Sequence, residues 1–207
     1  TFTLTDCEPA GKEGKITHGF NVETNKTHYF SGVVVSGTFN MYGGSITGNN
    51  QSGKAVAGGG VYVGEGGIFN MYGGKITDNI SSSGGGVGVS GTFNMYGGTI
   101  SGNTADGTET HGGGGVSVGS SSTFTMNGGT ISGNNAGSGG GVYVSNSGAF
   151  TMNGGSITGN TAKNNGGGVF MYKKTTFTME NGTITGNNAG SGGGVCVVSN
   201  VTFNMKD

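Results

Sequence analysis

The sequence predicts an all-β fold, a right-handed parallel β-helix of about seven coils with three short strands in each. Three observations carry that expectation. The block Phe-x-Met-x-Gly-Gly-x-Ile-x-Gly-Asn recurs through most of the 207 residues, apolar and polar residues alternate inside it, and 51 residues are glycine. A repeat of this size is a unit that cannot bury its apolar face alone, so it must stack on its neighbours.

The repeat sets the elements in order. Phe39, Phe69, Phe93, Phe124, Phe150, Phe177 and Phe203 lie 30, 24, 31, 26, 27 and 26 residues apart. Two residues after each comes Met (Met41, Met71, Met95, Met126, Met152, Met179, Met205), and these are seven of the eight methionines. Phe-x-Met is a period-2 pattern, so both side chains point to one face of a first strand. Seven residues after each of the first six Phe stands Ile (Ile46, Ile76, Ile100, Ile131, Ile157, Ile184), the centre of a second strand. A third follows in Val61-x-Val63, Val87-x-Val89, Val116-x-Val118, Val142-x-Val144, Val169-x-Met171 and Val195-x-Val197.

The strands are separated by Gly-Gly, by Gly-Asn and by a variable loop. Gly accepts the positive φ that sharp corners need. Asn49, Asn79, Asn103, Asn134, Asn160 and Asn187 stand ten residues after each Phe, where Asn tolerates the left-handed region and bonds to its copies above and below. Stacked coils pair each strand in parallel with its counterpart about 4.8 Å away. Left-handed helices of this kind run on short strict periods, whereas here residues 50–57 and 104–112 are long and 80–83 and 135–138 are short. That variation favours the right-handed form.

Residues 1–30 differ from 31–207. They hold seven of the nineteen Asp, Glu and Lys residues, the single Pro and two of the three His. Phe2-x-Leu4 and Gly14-Lys15-Ile16-Thr17 still echo the repeat, so the segment reads as an irregular first coil, an N-terminal cap over the end of the stack. Because both termini fall within repeat-like strands, the chain reads as an excerpt of a longer protein, with any export signal and anchor lying outside it.

Composition narrows the function classes. Charged residues are 9% of the chain, against roughly 25% in ordinary soluble domains. Net charge is −1 and no Arg occurs, which leaves little of the counterion release that drives nucleic-acid binding. No apolar run approaches the roughly 18 residues of a membrane-spanning helix. The expected partner is a glycan or protein on a host or neighbouring cell, with no cofactor and no metal.

The run Gly-Gly-Gly-Val-x-Val followed by Phe-x-Met-x-Gly-Gly-x-Ile-x-Gly-Asn resembles the tandem repeats of right-handed β-helix surface proteins of bacteria. More distantly it is similar to the passengers of chlamydial polymorphic outer-membrane proteins. It departs from their Gly-Gly-Ala-Ile and Phe-x-x-Asn signatures, since Gly58-Gly59-Gly60-Val61 replaces the first and Phe39-Asn40-Met41-Tyr42 lacks the last Asn of the second. The resemblance covers residues 31–207 and implies an extracellular or cell-surface adhesive or scaffolding role. It carries over no active site.

Several side-chain groups are candidate sites. Ser45/Thr47, Lys75/Thr77, Thr99/Ser101, Thr130/Ser132, Ser156/Thr158 and Thr183/Thr185 flank the inward Ile, eleven hydroxyls in twelve places. Stacked, they make two columns roughly 6.7 Å apart, a pattern similar to the faces of ice-binding solenoids. Tyr42, Tyr72 and Tyr96 follow Met in consecutive coils and form an aromatic column that suits sugar rings or a partner protein. Ionisable groups gather around the long loops as Lys54, Lys75, Asp78, Asp106, Glu109 and His111. The pectin-cleaving type of β-helix enzyme needs clustered Asp with Arg or Lys on one outward strand face, a pattern missing from the repeats, so no catalytic residues are expected. Cys7 and Cys196 lie about six coils apart, roughly 29 Å, too far for a disulfide. Cys196 takes the outward place held elsewhere by Tyr62, Gly88, Ser117, Tyr143 and Phe170.

The reading is a non-enzymatic, secreted or cell-surface adhesin or structural spacer. An ice-binding module on the hydroxyl columns and a carbohydrate-binding module on the Tyr column are the alternatives.

Overall fold

The computed structural model describes residues 31–52, 57–107 and 112–206 together with the short strands Phe2–Leu4 and Lys15–Ile16. Its elements are all β, and every strand pairing is parallel. The chain winds as a solenoid in which each coil contributes one strand to each of three long sheets. The Phe sheet has eight strands, from Phe2–Leu4 through Thr38–Met41, Ile68–Met71, Thr92–Met95, Thr123–Met126, Ala149–Met152 and Thr176–Met179 to Thr202–Met205. The Ile sheet and the Val sheet have seven each.

Register follows the repeat residue for residue. Phe39 pairs with Phe69, Ile46 with Ile76 and Val61 with Val87. A slip of one residue would turn every apolar side chain outward, so burial of one face holds this alignment. The Phe rings stack coil on coil from Phe39 to Phe203, with centroids 4.7–5.0 Å apart and planes within 10° of parallel. Met41, Met71, Met95, Met126 and Met152, the Ile column from Ile46 to Ile157 and the paired Val residues close the core around them with no exposed surface at most positions.

At the end of each Ile strand from Ser45–Thr47 to Ser156–Thr158 the chain turns through a buried Asn. Asn79, Asn103, Asn134 and Asn160 each use their side chain fully. The Nδ2 of Asn134 donates to Asn160 Oδ1 at 2.9 Å and to the carbonyl of Ile100 at 3.0 Å. Its Oδ1 in turn accepts from the backbone N–H and the Nδ2 of Asn103 at 3.0 and 2.9 Å. The pattern repeats down to Asn187. Buried amides are stable only when so satisfied.

Glycine at the entry to the Val strand reflects close approach of one coil to the next. A Cβ added at Gly86 would lie 2.6 Å from the Gly115 carbonyl oxygen and 2.9 Å from Ile100 Cγ2. Any larger residue there would push the coils apart.

Two features differ from the sequence expectation. The variable loop contains a fourth sheet of short strands, Ile80–Ser81, Thr104–Ala105, Asn135–Ser138 and Thr161–Asn165. Each begins one residue after a ladder Asn. Stacking of the Asn column brings the following backbone into register, and N–H groups such as those of Thr104, Asn135 and Thr161 donate to the carbonyl of the preceding coil's Asn at 2.9 Å. The second difference concerns the outer side of the Val sheet, which is covered rather than solvated at its middle strands, from Gly88 to Phe170. The segment returning from the fourth sheet lies against it, so Tyr143 is 3% and Phe170 6% exposed, and Ser83 Oγ bonds Ser117 Oγ at 2.9 Å.

Of residues 1–30, the described strands pair Phe2 with Phe39 and Ile16 with Ile46. The rest of that expected cap lies outside the described residues.

Replacing Asn134 by Ala removes the partners of buried groups on both neighbouring coils, and is expected to lower stability by roughly 2–4 kcal/mol. The same change at Asn187, which is only half-buried, should cost about half as much. Denaturant unfolding of the two variants checks the difference.

Candidate functional site

The outward residues of the Ile sheet form the two expected columns. Strand register places Ser45, Lys75, Thr99, Thr130, Ser156 and Thr183 in one, and Thr47, Thr77, Ser101, Ser132, Thr158 and Thr185 in the other. Two neighbouring pairs bond along the column, Thr77 to Thr47 and Thr183 to Ser156, both at 3.2 Å. No such bond joins the hydroxyls of Thr99, Ser101, Thr130, Ser132 and Thr158 to one another among the described residues. They are half-buried beside their neighbours and point to solvent. The exposed Lys75 interrupts the first column.

The Tyr column lies on the outer face of the Phe sheet. Tyr42 and Tyr72 stack at 4.7 Å, and Tyr72 and Tyr96 at 4.8 Å, with planes 7° apart. The rings are 51%, 42% and 46% exposed. Their mutual stacking decides what they offer. Both faces of Tyr72 are taken by its neighbours, so a sugar can stack only on an outermost face, that of Tyr42 or Tyr96, while the column presents ring edges and phenol oxygens. Beside it runs an amide ladder, Asn40, Asn70 and Asn94, bonded at 2.9 Å. Farther along, the Tyr places are held by Asn127 and Asn153, bonded at 2.8 Å, and by Glu180, ion-paired at 2.8 Å with Lys206.

Around the long loops the structure describes Lys75, Asp78 and Asp106. Asp78 occupies a corner with φ 57°, where the equivalent residues Gly48, Gly102, Gly133, Gly159 and Gly186 have φ of 62–69°. Its carboxylate lies beside the next corner, where a Cβ on Gly102 would sit 2.7 Å from Asp78 Oδ1. Asp106 follows the strand Thr104–Ala105 and accepts a hydrogen bond from the Ser52 hydroxyl. No hydrogen bond or ion pair joins Asp78 to Asp106 among the described residues, and no three His, Cys, Asp or Glu side chains converge there. Lys54, Glu109 and His111, together with Cys7, lie outside the described residues. Cys196 is a free, half-buried thiol on the covered side of the Val sheet. Burial raises its pKa above the ordinary value, which keeps it a poor nucleophile.

Two surface features were missed in the sequence reading. The Phe sheet carries its own outward rows of Thr and Asn, before and after the Phe positions and broken before Phe69 by Ile68 and before Phe150 by Ala149, and the Thr-Phe-Thr-Met and Thr-Phe-Asn-Met strings are their signal. The corners between the Val and Phe sheets hold non-glycine residues with positive φ, including Lys173 and Lys174. They fall three or four places before the next Phe, at positions where no Gly marks the turn.

No family model, no curated protein and no solved structure matches the chain. The likeness to bacterial repeat surface proteins therefore rests on the repeat motif itself.

Substituting Asp78 by Gly matches the corner to its equivalents and is expected to raise stability by up to about 1 kcal/mol, read from thermal unfolding. Tyr72→Ala removes two stacked pairs, each worth about 0.5–1.5 kcal/mol. It should lower stability by roughly 1–3 kcal/mol, while Tyr72→Phe stays near wild type in the same assay.

Proposed function

We propose that this chain is a non-enzymatic module of a secreted or cell-surface protein that serves as an adhesive or spacer element. One observation carries the reading. From Phe39 to Phe203 each coil repeats the last in register, so every added coil lengthens the solenoid by one more rung. Such a body suits holding a surface at a distance or presenting corners and loops along its length. The absence of Arg and the small share of charged residues support a role without acid–base chemistry. The resemblance to bacterial tandem-repeat surface proteins supports the location.

The test is retention on arrays of host glycans and surface proteins, run beside incubation with pectin-like polysaccharides. The expected result is saturable retention on at least one array class with no cleavage of any polymer. Saturable cleavage that disappears in Asp78→Ala would replace the scaffold with an enzyme.

A second reading is favoured by the register of the hydroxyl columns, whose middle rungs have oxygens free to meet ordered water. On that reading the Ile sheet binds ice. It predicts faceted ice crystals and a thermal hysteresis gap that Thr130→Tyr abolishes. Unshaped ice growth in both proteins would remove it.

A further inference from the structure

The corners that join the Val sheet to the Phe sheet take a particular form in three consecutive coils. Each has two adjacent residues in the left-handed region: Asn146 and Ser147 (φ 52° and 68°), Lys173 and Lys174 (both 56°), and Ser199 and Asn200 (60° and 61°). Two successive positive φ values define the tight turn that Asn and Gly favour, since Asn stabilises the conformation locally and Gly meets no clash. Lysine has neither advantage. The conformation is imposed by the neighbouring coils, through bonds from Ser147 N–H to the Lys173 carbonyl at 3.1 Å and from Lys174 N–H to the Ser199 carbonyl at 3.2 Å. Backbone strain held in place in this way points towards use of the side chains it displays.

What the turn displays is concentrated positive charge in a polar hollow. Asn146, Ser147, Lys173, Lys174, Ser199 and Asn200 line an open depression of about 340 Å³, and all six are exposed. No carboxylate lines it. The Lys173 ammonium lies 4.9 Å from the centroid of the Tyr172 ring, which anchors it at one side. Lys174 has no ion-pair partner among the described residues, whereas Lys206 is committed to Glu180. Two ammonium groups flanked on the adjoining rungs by amides and hydroxyls supply the donors that a tetrahedral oxyanion accepts.

We propose that this corner binds a sulfate or phosphate group of a polymer that crosses the solenoid at the coil of Lys173. The site is local. A chain of net charge −1 has no general attraction for polyanions, so binding depends on this pair. The polymer rests on the scaffold reading above, but the oxyanion contact does not, and the two are measured separately.

The oxyanion contact is read by titrating the chain with sodium sulfate and with sodium phosphate against sodium chloride, following amide resonances. Polymer binding is measured with heparin, with polyphosphate and with uncharged dextran. The decisive variant is Lys173→Asn/Lys174→Gly, which installs residues the turn prefers, so the fold and its thermal stability are kept. The expected result is selective shifts at residues 146–147, 173–174 and 199–200, together with salt-sensitive binding of heparin or polyphosphate but not dextran. The variant should weaken that binding at least about tenfold, while Lys206→Gln stays within about twofold. Heparin and polyphosphate together separate the sulfate from the phosphate source, and binding to either supports the site. Equal weakening by Lys206→Gln, or polymer binding unchanged in the double variant, would overturn it. Absence of both the selective shifts and polyanion binding overturns it as well. Selective shifts without polymer binding keep the oxyanion site and remove the polymer.

Discussion

The structure depends on one constraint, the registered hydrogen bonding of each coil to the next, and the buried Asn column is where that constraint is strongest. Main-chain pairing alone sets a spacing near 4.8 Å between strands but tolerates sliding where a strand is only three residues long. The Asn side chain removes that freedom. Its amide spans two directions at once, bonding Asn to Asn one way and the Ile carbonyl the other, and it does so in a dry environment where a missing partner is costly. A coil shifted by one residue would leave several such groups unpaired.

The remaining architecture follows from that pinned corner. With the Ile strand and the Asn held in register, the next residues lie at pairing distance and form the short fourth sheet. The small side chains two places after Asn79, Asn103, Asn134 and Asn160, which are Ser81, Ala105, Ala136 and Ala162, are buried there. That segment in turn folds over the outer side of the Val sheet, so the solenoid has two open faces and one that is covered. The open faces differ in character. The Ile face carries hydroxyls, and the Phe face carries columns in which a run of Tyr or Asn gives way to Asn or Thr along the axis.

This division bears on recognition. Identical residues stacked at the rung spacing satisfy one another first, as the Tyr rings and the Asn ladders do, and a column that is complete in itself offers a ligand only its edge. Irregular places are where the fold leaves groups free. The corners between the Val and Phe sheets are such places because their sequences change from coil to coil while their backbone is held by the coils on either side.

The sequence by itself determined the strands of the three long sheets, their inward residues and their parallel stacking. A repeat read against period-2 alternation specifies a one-dimensional object, and Phe, Met, Ile, Val and Asn recur at fixed offsets from one another. The hydroxyl and Tyr columns were legible for the same reason. Only the tertiary structure decided which outward residues meet solvent, that the faces of Tyr72 are occupied, and that Tyr143 and Phe170 are covered. Those outcomes depend on where a variable loop returns and how closely one coil approaches the next. Such distances are set by neighbouring coils acting together, and no spacing within a single repeat encodes them.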